Sequence, residues 1–144
     1  MTYKNNLTRF LKAQEGVYDI ALTEIRNGKK SSRWMWFIFP QIYGLGSSET
    51  SNHYAIRNMS EAREYLDHEI LGPRLTGISN ALLKLPGSNP IDIFGSIDSM
   101  KLQSSMTLFS LLAHNIPVFE QVLNKYFDGV KDEKTVELLN IDIE

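Results

Sequence analysis

Apolar residues recur at intervals of three and four along most of the chain, and several of these runs stop at a glycine or a proline. This is the period of a helix that buries one face, and no other feature constrains the fold as much. Leu7, Phe10 and Leu11 open one stripe. Val17, Ile20, Ala21 and Ile25 form the next, with Gly28 as its stop. Ser60 is placed to cap a helix through Ala62, Tyr65 and Leu66, and Glu61 suits the positive end of its dipole. Pro73 is expected to begin a helix carrying Leu75, Ile78, Leu82 and Leu83, which Pro86-Gly87 ends. Asn89-Pro90 reads as cap and first helical residue. Asp98 is expected to cap a central helix with Leu102, Ser105, Met106, Phe109 and Leu112 inward. Pro117 opens a helix burying Val118, Phe119, Val122, Leu123 and Tyr126 and closed by Gly129, and Asp132 starts a last one through Val136 and Leu139.

Alternation with a period of two is missing. WFIFPQIY has strand propensity, but Pro40 would confine it to a sheet edge, and no partner strand stands out elsewhere. The expectation is an all-α fold: a single compact domain over residues 1–144, with several short helices around one core. A chain of 144 residues can build such a core without staples.

The absence of cysteine excludes disulfides, thiolate metal sites and a cysteine nucleophile, and it favours a reducing compartment. Lys4 and Arg9 flank mostly polar residues, so no signal peptide is expected. No apolar run approaches the ~18 to 20 residues of a membrane span. The expected location is cytoplasmic, with no membrane partner. A net charge of −2 weighs against nucleic acid as a partner. The sequence carries no signal for an oligomeric state.

Two segments carry the residues from which chemistry can be built. SSRWMWFIFPQIYGLGSSE, residues 31–49, holds both tryptophans. On a helix, positions two apart diverge by roughly 200°. One of Trp34 and Trp36 is therefore expected in the core and the other on a cleft wall. Lys29, Lys30 and Arg33 beside these rings suit a phosphate-bearing, stackable ligand, with cations for the oxygens and a ring for the base. A solvated basic loop after a helix C-terminus is the competing reading. Gly44, Gly46, Ser47 and Ser48 form a turn whose backbone donors could cradle an anion, but GLGSS is neither a Walker loop nor a dinucleotide fingerprint. No cofactor is expected.

The second segment is GSIDSMKLQSSMTLF, residues 95–109. Asp98, Lys101 and Ser105 share one helical face. They form a possible proton-transfer set, with Asp98 and Lys101 as the catalytic candidates. They are equally a cap, its salt-bridge partner and a small packing residue. His53, His68 and His114 lack metal-ligand spacing, so no metal site is expected.

RFLKAQ, WMWFIFPQIYGLGSS, EAREYLDHEILGPRL and IFGSIDSMKLQSSMTLF together resemble a family of uncharacterised proteins, mainly bacterial, known as domain of unknown function 1810. The resemblance runs from about Leu7 to about Leu139. It implies one compact helical domain and no established activity. Members are often labelled calpastatin, a name for long, proline-rich, disordered chains; five prolines and a full set of core residues do not fit it. Members usually carry histidine just before Trp-Met-Trp, where this chain has Arg33, which favours anion binding over histidine catalysis. The matched polar positions include Gln14, Lys30, Ser32, Gln41, Ser47, Asp98, Lys101, Ser104 and Thr107.

Polar groups inside apolar motifs need partners or a ligand. Bringing the two segments together around one cleft would satisfy them. The functional expectation is a small enzyme or binding protein for a phosphate-bearing, nucleotide-like molecule. Lys30, Arg33, Trp34, Trp36, Gln41, Ser47 and Ser105 are its binding candidates. A helical protein-interaction module is the alternative.

Overall fold

The computed structural model describes residues 6–143, which form nine helices. They are α1 (Thr8–Gln14), α2 (Tyr18–Arg26), α3 (Met35–Ile38), α4 (Glu49–Tyr54), α5 (Met59–Asp67), α6 (Leu71–Leu83), α7 (Pro90–Leu112), α8 (Val118–Phe127) and α9 (Glu133–Ile143). Lys4, used in the reading of the leader, lies outside the described residues. Among the described residues, the only strand-like pairing is a parallel bridge between Ile42 and Ile56. The fold is all-α, as the apolar period requires.

Helix α7 is the central element, packed against α5, α8 and α9. Its Leu102, Met106 and Phe109 are completely buried. Each such side chain contributes roughly 1.5 to 3 kcal/mol through burial. Around it lie Phe10, Trp34, Phe39, Tyr65 and Phe119, also completely buried. The rings of Phe10 and Tyr65 meet edge to face at 5.0 Å. Helix α8 buries Val118, Phe119, Val122, Leu123 and Tyr126, the stripe its sequence predicts. Lys125 Nζ donates to the carbonyls of Leu82 (3.2 Å), Leu83 (3.0 Å) and Leu85, filling acceptors that the end of α6 leaves open.

Several boundaries differ from the sequence expectation, each for a local reason. Asn58, not Ser60, caps α5, its side chain accepting from Glu61 N at 2.9 Å. Helix α6 begins at Leu71, two residues before Pro73, because His68 Nδ1 accepts from Ile70 N (3.1 Å) and Leu71 N (3.3 Å). Ile20 points outward and is 49% exposed. Asp98 caps nothing. Asn89 starts α7, its side chain accepting from Ile91 N at 3.0 Å, and the helix continues through a kink at Gly95. Gly95 has φ 78°, a conformation glycine adopts without strain, and Asp98 lies in the first turn beyond it. Helices α3 and α4 leave no periodic signal in the sequence: α3 has only four residues and α4 buries none, so neither displays an amphipathic period.

Candidate functional site

The segment after α2 is fastened by Glu24. Its carboxylate accepts from Ser31 N (2.7 Å), Ser32 N (3.0 Å), Ser32 Oγ (2.5 Å) and Trp34 Nε1 (2.9 Å). Partial burial works against its charge, but these four donors outweigh that and hold its pKa down to about 2. Trp34 is thereby sealed in the core with its one donor satisfied. The chain then turns through α3, and Trp36 emerges partly exposed on the other side. The split between the tryptophans follows from their spacing.

Trp36 is one wall of a cleft of about 530 Å³. Gln41 and the turn Leu45–Ser48 continue that wall. The bridge at Ile42 holds it in place, with Ile56 N donating to Gln41 O and Tyr43 N to Ile56 O, both at 2.8 Å. A Cβ at Gly46 would fall on the Ser51 side chain, whose hydroxyl is buried without a hydrogen-bond partner; Ser51 also lines the cleft. Helix α7 supplies the opposite wall through Ile97, Met100, Lys101 and Ser104. Asp132 and Lys134 close one end. They are carried there because Thr107 Oγ1 accepts from Asp132 N at 2.9 Å and Gln103 Nε2 donates to Val130 O at 2.9 Å.

The charges at this cleft are linked. Lys101 Nζ lies 4.5 Å from the centroid of the Trp36 ring, a cation–π distance. Behind it, Asp98 Oδ1 is 3.5 Å from Lys101 Nζ, and Asp98 Oδ2 is 2.9 Å from Lys30 Nζ. Lys30 in turn lies 5.1 Å over the Trp34 ring. Flanked by a carboxylate and an electron-rich ring, Lys101 is arranged as a cation, which suits anion recognition rather than nucleophilic attack.

Of the residues singled out in the sequence, Trp36, Gln41, Ser47 and Lys101 line the cleft. Asp98 and Lys30 stand behind Lys101 rather than on the wall. Trp34 is in the core. Arg33 is exposed before α3 and is not part of the lining. Ser105 is completely buried, and its hydroxyl has no hydrogen-bond partner. The sequence reading missed Glu24, Asp132 and Lys134. Glu24 carried one usable signal, as the acidic residue just ahead of a basic run. Asp132 and Lys134 carried none, because their place depends on how the C-terminal segment folds back. Among the described residues, no three His, Asp or Glu side chains are grouped to hold a metal, and no helix is long and apolar enough to cross a membrane.

Fold and site define a small helical unit with an aromatic, cation-bearing cleft between two sequence motifs. The chain belongs to the family described as Protein of unknown function (DUF1810), whose model matches residues 4–139. Among solved structures it is similar to the crystal structure of the conserved hypothetical protein Rv1873 from Mycobacterium tuberculosis. The two are 43% identical over 94% of this chain and 96% of that one, with a TM-score of 0.92. No protein of curated function matches it.

Proposed function

We propose that this chain is a small cytoplasmic binding protein or enzyme whose cleft takes a ring-bearing small molecule with a phosphate group, of nucleotide type. One observation carries the reading. The WMWFIFPQIYGLGSS and IDSMKLQSS motifs meet across one cleft, and each contributes the group such a ligand needs. Trp36 offers the ring for stacking, Lys101 the cation for the phosphate, and Gln41 and Ser47 the polar contacts that fix orientation. Asp98 would serve behind Lys101 as the polar or proton-handling group.

The test is a titration with AMP and related nucleotides, following tryptophan fluorescence. A change in the Trp36 signal is expected. Lys101→Met should weaken AMP binding by roughly 1.5 to 3 kcal/mol, the scale of a charged hydrogen bond. Arg33→Ala should alter binding and stability by no more than about 0.5 kcal/mol, as expected for an exposed residue off the cleft. No response from the unsubstituted chain to any nucleotide would sink the proposal.

A second reading, a helical interaction module, is favoured by the cleft's lip. Ile97 is 71% exposed and Met100 67%, apolar surface of the kind that partners cover. Paired Ile97→Ser and Met100→Ser substitutions separate the readings. They spare nucleotide binding if the lip serves only a protein partner, and weaken it if the lip holds the ring.

A further inference from the structure

We infer that Lys30 is a positioning residue for Lys101: by occupying Asp98, it leaves the Lys101 ammonium free to receive an anion beside Trp36. The inference rests on the reading of the cleft as an anion and ring site, and it names the group that keeps that site charged.

One carboxylate between two ammonium groups leaves one positive charge in excess, and the geometry says which. Lys30 Nζ is 2.9 Å from Asp98 Oδ2, within the ordinary range of a charged hydrogen bond. Lys101 Nζ is 3.5 Å from Oδ1, beyond it. Lys30 is also the better anchored of the two. Its backbone N–H donates to Ile93 O at 2.8 Å, and it directly precedes the serines fastened to Glu24. Its side chain is 11% exposed, against 23% for Lys101. Only Lys101 lines the cleft.

The other cleft charges do not change this assignment. Asp132 Oδ2 is engaged by Thr135 N (2.9 Å) and Thr135 Oγ1 (2.5 Å) at the start of α9. Lys134 faces Glu137 at 4.0 Å on the surface. Without Lys30, Asp98 would have Lys101 as its one cation and would draw it away from the cleft. With Lys30 in place, Lys101 can turn to an incoming anion while Asp98 stays paired.

Collisional quenching reads this directly and needs no ligand. Iodide reports the charge beside an accessible indole, and neutral acrylamide reports its exposure alone. Trp34 is completely buried, so both quenchers report Trp36. Lys30→Met is expected to lower the iodide constant about twofold, the effect of one unit of charge at this range in salt, with the acrylamide constant unchanged. Lys30→Arg should keep the original value. In a Lys101→Met background, Lys30→Met should lower the iodide constant clearly less, because only the direct field of the pair behind Lys101 then changes and the part transmitted through Lys101 is gone.

Asp98→Asn gives the converse, a rise of about twofold in iodide quenching that is clearly smaller in Lys101→Met. It decides the matter should Lys30→Met loosen the loop and raise acrylamide quenching. An equal fall for Lys30→Met with and without Lys101 would overturn the inference, since Lys30 would then act through its own field. So would no change in either background. A chain that ignores AMP yet shows the expected iodide pattern loses the nucleotide reading and keeps this one.

Discussion

Two ionic clusters sit at opposite extremes of completeness. In the first, Arg9 meets Glu61 with side chains only 4% and 1% exposed. The guanidinium donates from Nη2 to Glu61 Oε1 (2.6 Å) and Ala55 O (2.8 Å), and from Nη1 to Glu61 Oε2 (3.1 Å) and Asn6 O. Its Nε donates to His53 O at 2.7 Å, so all five of its N–H groups are used. Arg57 N takes a further Glu61 lone pair at 3.0 Å. In the second cluster, Asp98 is divided between Lys30 and Lys101, and one ammonium faces a cavity. A buried charge whose every bond is made to its own chain can only hold segments together, here α1 against residues 53–61. A charge left incompletely paired at a cavity has capacity for something else.

The largest expected effect breaks the closed cluster. Glu61→Ala strands a buried guanidinium and should cost about 3 to 5 kcal/mol in denaturant unfolding. A loss below about 1 kcal/mol would mean that water reaches Arg9 and that the two clusters differ less than their burial indicates.

Next comes Glu24, which fastens the loop that carries Lys30. Glu24→Gln should cost about 2 kcal/mol, since charged hydrogen bonds become neutral ones. The same carboxylate gives a pH dependence. Its folded pKa of about 2 lies below the ordinary 4.5, so the unfolded chain binds the proton first. The contribution of Glu24 is complete above pH 4.5 and is lost as pH falls from there through 2. Thermal scans over that window should show a steeper loss of Tm in the unsubstituted chain than in Glu24→Gln. Parallel curves would contradict the account.

The smallest effect sharpens the boundary of the site. Ser105 shares the Lys101 face of α7 but is sealed, with an unpartnered hydroxyl. Ser105→Ala removes a buried polar group without a bond and should leave stability unchanged or raise it by about 1 kcal/mol, with AMP binding unaltered. Weakened binding would move the site deeper than the cleft.

How much of this was legible depends on the range of the cause. Most of the helical stripes, the Asn89-Pro90 start and the division of labour between Trp34 and Trp36 follow from spacing alone, and the structure has them, with Ile20 the outward-facing exception. The meeting of the two motifs followed from asking where their polar groups would find partners. Asp98 misled because an acidic residue near a helix start looks the same whether it caps backbone N–H groups or binds lysines from another segment. Arg33 and Lys30 look alike in sequence, yet only Lys30 finds Asp98, because Glu24 fixes the loop in one conformation. Asp132 and Lys134 reach the cleft through two side chains of a helix distant in sequence, Thr107 and Gln103. Periodicity reports which face is buried, not which faces meet.

The central claim is that the cleft between the motifs, rather than the exposed basic loop before it, is where this protein meets its ligand. Amide chemical-shift mapping during an AMP titration tests this residue by residue. The account expects shifts at Trp36, across residues 45–51 and across residues 97–104, with Asn27 to Arg33 little moved and the Arg9–Glu61 region silent. Shifts confined to Asn27 to Arg33 would contradict it, and so would none at saturating AMP.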